Sequence, residues 1–163
     1  MRAFSRGSAA ALAALVLFAP LAGCHDPFAE QAVAAPVAKL AVIPVRITTA
    51  DGKTHVYKAE VARTEAEQAQ GLMYRRTMPR DAGMLFPMMP ARVASFWMRN
   101  TYLPLDIIFI SPEGRVLNVV QAKPLDETPV EAVGITGAVL ELNQGEAARI
   151  GLKPGDQISW GAE

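Results

Sequence analysis

Leu105-Asp106-Ile107-Ile108-Phe109-Ile110-Ser111-Pro112-Glu113-Gly114-Arg115-Val116-Leu117-Asn118-Val119-Val120-Gln121 is the stretch whose reading decides the fold. Two runs rich in β-branched and aromatic residues flank Pro-Glu-Gly, a pattern that folds as a hairpin. The first run is apolar at successive positions, so both of its faces must be covered. Upstream, residues 43–49 and 55–61 flank Ala50-Asp51-Gly52-Lys53, and Asp-Gly is a strong signal for a second hairpin. Thr64 with Glu67 three residues later forms a capping box that opens a short helix reaching Leu72. Residues 84–88 and 94–99 read as two short strands separated by Pro87 and Pro90. Residues 138–142 form a strand, 145–150 one or two helical turns, and 156–160 a closing strand. These elements predict a mostly β (α+β) fold: a compact, single-domain barrel- or sandwich-like β structure with two short helices, over residues 40–161.

The start of the chain carries an address. Arg2 and Arg6 precede an apolar run that stops at Pro20, short of the roughly 18 residues that a spanning helix needs. Leu21-Ala22-Gly23-Cys24 then resembles the bacterial lipobox, in which the cysteine is acylated and becomes the new N-terminus. The expectation is a signal peptide over 1–23, lipidation of Cys24, and a flexible Ala- and Val-rich tether over 24–39 that includes Pro36. The anchor places the domain in the cell envelope, on the periplasmic face of a membrane. His25 stands where a retention-signalling Asp would be, which favours the outer membrane. Cys24 is the only cysteine, so disulfides and thiolate metal sites are outside the expected chemistry, in keeping with an oxidising compartment.

Charge excludes one class of partner. Loss of Arg2 and Arg6 with the signal peptide leaves 14 basic against 16 acidic residues. With no basic stripe along the chain, nucleic acid is not an expected partner.

Candidate site residues gather in two places. Alternation in Phe96-Trp97-Met98-Arg99 puts Phe96 and Met98 on one face and Trp97 and Arg99 on the other. Asn100-Thr101 then turns the chain towards Asp106, a carboxylate at the mouth of an apolar strand. Such a charge needs donors, and Arg99, Asn100, Thr101 and Arg75 are the candidates for a turn-locking network. Arg75 and Arg76, just past the helix, can clamp an anion. Asp106 and Glu141 could form a two-carboxylate pair, although nothing in their spacing supports it. Six methionines lie between Met73 and Met98, and thioethers suit Cu(I) as readily as they fill cores. His55, the one histidine of the domain, is expected at an exposed hairpin position. Signatures of serine hydrolases, zincins, phosphate loops and dinucleotide sites are missing.

Gly71-Leu72-Met73-Tyr74-Arg75, Gly83-Met84-Leu85-Phe86, Phe96 to Thr101, Pro104 to Phe109, Val139-Leu140-Glu141-Leu142, Gly145 and Gly155-Asp156 occur in order over residues 60–160. The set resembles domain-of-unknown-function family 192, also called uncharacterised protein family 0127. The resemblance implies a compact β-rich domain, often exported or lipid-anchored, and supplies no activity or catalytic residue. The reading that follows is a lipid-anchored envelope protein that binds a small ligand or envelope protein without turning it over. Its expected face is Arg75, Trp97, Arg99, Asn100, Thr101 and Asp106, with no cofactor. The alternatives are an envelope hydrolase using Asp106 and a methionine-based copper-binding protein. Cys24→Ser is expected to abolish fatty-acid labelling and leave an unprocessed precursor; equal labelling of mutant and wild type would refute the anchor.

Overall fold

The computed structural model describes residues 39–161, so the expected signal peptide, Cys24 and the tether up to residue 38 lie outside the described residues. The chain runs β1 (Val42–Thr48), β2 (Thr54–Val61), α1 (Glu65–Gln70), β3 (Ala82–Phe96), β4 (Leu105–Ile110), β5 (Val116–Ala122), β6 (Val130–Asn143), α2 (Glu146–Ile150) and β7 (Gln157–Trp160). All seven strands join one sheet in the order β5-β4-β6-β3-β2-β1-β7. The β2–β3 pair is parallel and needs the crossover that contains α1, whereas the other neighbours are antiparallel. The sheet curls into a half-barrel whose two edge strands touch at one end. There Arg115 bridges Gln157, and Ile158 N–H donates to Gly114 O at 2.8 Å.

The two hairpins and both helices form where the sequence places them. Glu67 accepts from the Thr64 and Arg63 amides while Thr64 Oγ1 accepts from Glu67 N–H, which completes the capping box. Gly71 ends α1 at φ 47°, a conformation that favours glycine.

One expectation is corrected. Residues 84–88 and 94–99 are not two strands; β3 is a single 15-residue strand whose pairing with β6 shifts register between Pro87 and Arg92. Proline lacks the N–H that an interior strand must donate. The β2 side of β3 ends at the Val61–Leu85 pair, so beyond that point β3 has only β6 beside it. Pro87 and Pro90 therefore sit on an edge, where a missing donor is tolerated. β6 is likewise longer than residues 138–142, since its Val130–Gly137 half follows β3 outward.

Alternation sorts the apolar residues into two clusters. Ile108, Ile110, Leu140, Leu142 and Leu85 point into the half-barrel with Val45, Ile47 and Tyr57. Leu105, Ile107, Phe109, Val139, Met84 and Phe86 point outward and meet Leu72, Met98 and Leu103. Asp106 shares the inner face with Ile108 and Ile110. It is fully buried, and its Oδ2 accepts from Ala147 N–H at 2.8 Å, which ties α2 to the sheet. Asp106→Ala leaves that amide without its acceptor, so urea unfolding should show a loss of about 1–3 kcal/mol.

Candidate functional site

The outward cluster is incompletely covered, and the gap is a cavity of about 490 Å³. Its walls come mainly from Gln68 to Met73 at the end of α1, the Phe86–Phe96 half of β3 with Trp97 just beyond it, and Thr101 in the following turn, with Pro129 and Glu141 completing them. Both motifs singled out in the sequence, Gly71-Leu72-Met73 and Phe96-Trp97 with Thr101, thus meet around one space. Phe86 and Phe96 pack edge to face at 5.2 Å, and Phe96 does the same with Phe109 at 6.2 Å, so the aromatic wall is fixed by its own contacts.

Glu141 of β6 reaches this cavity. It pairs with Met84 on one side and Ile107 on the other, so its carboxyl projects among the outward apolar residues. It is 5% exposed, and burial alone pushes its pKa up to about 8. Neither a hydrogen bond nor a neighbouring charge offsets this among the described residues.

The six expected site residues separate. Trp97 and Thr101 line the cavity. Arg99 stacks on Trp97, 4.4 Å from the ring centroid, and donates to Glu127 through Nε at 3.2 Å and Nη2 at 2.9 Å, so it braces the indole from the solvent side. Asn100, at φ 54°, donates from Nδ2 to Tyr74 Oη at 2.9 Å, while its carbonyl accepts from Tyr74 N–H at 2.8 Å. That pair joins the chain after α1 to the turn after β3. Arg75 forks onto Glu60 at 2.7 and 2.6 Å and lines a neighbouring cavity of about 290 Å³. Its hydrogen bonds hold the Glu60 carboxyl below the usual range.

Asp106 is the correction among them. It takes no donor from Arg99, Asn100 or Thr101, because it lies on the inner face and they lie beyond the outer one. By the same parity a joint Asp106–Glu141 mechanism is ruled out, since the sheet separates the two carboxyls. His55 is half-buried rather than exposed, with Nε2 enclosed and unbonded among the described residues. Met84, Met88 and Met98 are buried in the outer cluster, Met78 packs against it, and Met89 is 87% exposed. Among the described residues no group of three or more His, Cys, Asp and Glu could hold a metal.

Sequence reasoning named Glu141 only as a partner for Asp106 and did not place it in the candidate face. The signal was present: Ala138-Val139-Leu140-Glu141-Leu142 is an apolar run with one acid in it, and the structure buries that run without a break.

A second polar cluster lies at the α2 end. Glu146, 5% exposed, accepts from Tyr57 Oη at 3.0 Å, Arg80 Nε at 2.7 Å and Arg149 Nη2 at 2.6 Å. Arg149 above all brings its pKa down to about 2. Burial, then Glu146, raises that of Tyr57 to about 12. This carboxylate is fully satisfied, in contrast to Glu141.

A curled seven-stranded half-barrel with a lateral apolar cavity defines a class of small β-rich domain. Within it the chain belongs to domain-of-unknown-function family 192 (DUF192, Uncharacterized ACR), whose model matches residues 46–160. Two solved structures share the fold. A protein of unknown function from Novosphingobium aromaticivorans DSM 12444 is 51% identical, with 77% of this chain and 90% of that chain covered and a TM-score of 0.73. A protein from Sinorhizobium meliloti 1021, whose name proposes a transcription regulator, is 40% identical, with 77% and 98% covered and a TM-score of 0.74. A comparison with curated proteins finds no match.

Glu141 makes stability depend on pH. The unfolded carboxyl ionises near 4.5 and the folded one near 8, so between these values the folded state alone keeps the proton. Stability contributed by the neutral form is complete below the lower value and is lost as pH rises through the upper one, by up to roughly 1.4 kcal/mol per unit. Glu141→Gln should flatten urea-derived stability across that window. The acid limb belongs to Glu146 and similar groups held low; their contribution is present above 4.5 and is lost as pH falls towards 2, so it should survive the substitution.

Proposed function

We propose that this is a lipid-anchored cell-envelope protein whose half-barrel binds a small ligand in the cavity above Glu141 without turning it over. The observation that carries the reading is the cavity: about 490 Å³, within the usual range of ligand sites, with mainly apolar walls and a few placed polar groups. An acid without a partner in an apolar wall destabilises the fold above neutral pH, and a ligand that engages it recovers part of that loss. Leu21-Ala22-Gly23-Cys24 supports the anchor. Nucleic acid is no part of this reading, because acidic and basic residues balance; the role named for the Sinorhizobium protein is left with that protein.

A hydrolase finds its support at Glu141 rather than at Asp106, because a buried carboxyl with a raised pKa in an open cavity has the properties of a general acid. Recovery of the bound molecule unchanged is the outcome expected of a binding protein. Conversion that disappears in Glu141→Gln would establish the hydrolase.

The cavity itself is tested with a neutral, environment-sensitive dye such as Nile red. Dye fluorescence should rise on mixing, and Trp97 emission should change with it. Ser95→Trp, at an exposed wall position, should weaken the dye by about tenfold or more; an unchanged titration would remove the cavity as the binding site.

A further inference from the structure

We infer that the cavity takes an amphoteric, amino-acid-like ligand, with an ammonium group at Glu141, an apolar body between the aromatic walls, and an acidic group outward at Arg92. The inference rests on the binding reading above and adds the chemistry of the ligand.

Around Glu141 two polar side chains of the cavity wall have their donors engaged elsewhere and present acceptors. Gln68 spends both amide hydrogens inside the protein: Nε2 donates to Ala62 O at 3.1 Å and to Pro87 O at 2.9 Å. Because both neighbours are carbonyls, the amide orientation is fixed, and Oε1 is left as an acceptor. Thr101 Oγ1 donates to Arg99 O at 3.2 Å, which leaves the lone pairs of its oxygen. Glu141 adds a carboxyl without a partner among the described residues. A carbonyl or anionic ligand would place acceptor against acceptor at Gln68 and Thr101, and like charge against like at Glu141 once it ionises. An ammonium brings three donors and the charge that an ionised Glu141 lacks. The rings of Phe86, Phe96 and Trp97 line the same space, and ring faces attract cations.

The mouth has the opposite sign. Among the described residues Arg92 is the one charged lining residue besides Glu141, and it is exposed. Its guanidinium makes a long 3.5 Å contact from Nη1 to Pro90 O, and no carboxylate pairs with it among the described residues. Arg99, by contrast, already has Glu127, and Arg75 already has Glu60. The guanidinium at the mouth is thus available to a carboxylate, which it can hold bidentately. Among the described residues no other charged side chain lines the cavity with Glu141 and Arg92: α1 contributes Gln68, Ala69 and Gln70, the turn contributes Thr101, and Pro129 precedes β6.

The test titrates the intact domain with aminohexanoate and its shorter and longer homologues, and with hexylamine, hexanoate and hexanol, by calorimetry near neutral pH in buffers of differing ionisation enthalpy. One ω-amino acid should bind at least about tenfold more tightly than the amine or the acid alone, and should release close to one proton as Glu141 ionises. Glu141→Gln should remove that proton release and about tenfold of affinity. Arg92→Ala, an exposed change that does not depend on refolding the core, should weaken the ω-amino acid to the level of hexylamine and leave hexylamine unaltered. Hexanoate or hexanol binding as well as the amino acids would overturn the ligand class, and so would Nile red binding with none of the amines. In either case the binding reading stands. Failure of the dye as well as of every probe would overturn both.

Discussion

Two-sided burial of the central strands is the constraint on which the rest of the structure depends. β4 is buried at every position, and the 138–142 part of β6 beside it likewise. Each fully buried aliphatic side chain contributes roughly 1.5–3 kcal/mol, so neither face of these strands can be left to water. Curling the sheet satisfies one face, because β1, β2 and β7 bend round and cover it with Val45, Ile47 and Ile158. The other face has no second sheet. It is covered by the chain after β2 and by the turn after β3, through Leu72, Met98 and Leu103. A cover made of a short helix and a turn is less complete than a sheet, and the cavity is what it leaves.

The same constraint explains why so many polar contacts hold that cover in place. Gln68 bonds across to β3, Tyr74 and Asn100 lock the two covering segments together, and Met98 N–H donates to Asp126 O at 2.9 Å. α1 has no buried residue of its own, so these bonds, with Leu72 as the apolar anchor, do the positioning that packing does elsewhere. Arg99 belongs to this set. Stacked on Trp97 and paired with Glu127, it fixes a cavity wall without entering the cavity.

Four acids show how strand parity and neighbours divide their roles. Asp106 faces inward and accepts the amide of Ala147, which makes it a structural tie. Glu146 is surrounded by Tyr57, Arg80 and Arg149 and stays ionised. Glu60 is neutralised by Arg75. Glu141 faces outward into an apolar space without a partner among the described residues, and burial favours its neutral form. An unsatisfied atom is not peculiar to the cavity, since Asp106 Oδ1 and His55 Nε2 are also enclosed without a partner among the described residues; Glu141 differs in that its carboxyl opens onto the cavity.

The sequence by itself determined the elements whose signals are local. Asp51-Gly52 and Pro112-Glu113-Gly114 specify their turns, Thr64 and Glu67 specify a cap, and the alternation in Phe96-Trp97-Met98-Arg99 does separate the pair that packs on the outer cluster from the stacked pair. It also put Trp97 and Thr101, which line one cavity, in one candidate set, and its resemblance pointed to a family of compact β domains. Tertiary structure alone decided three things. Pro87 and Pro90 lie within a strand because β2 has already ended, a fact about a neighbour remote in sequence. Asp106 turned away from the residues next to it in the chain because side chains alternate across a strand while chain proximity does not. Glu141 became the floor of the site because the helix that covers it comes from residues 65–70. Hydrogen-bond turns and caps are short-range and can be read from a few residues; which face of a sheet remains open depends on everything that folds over it.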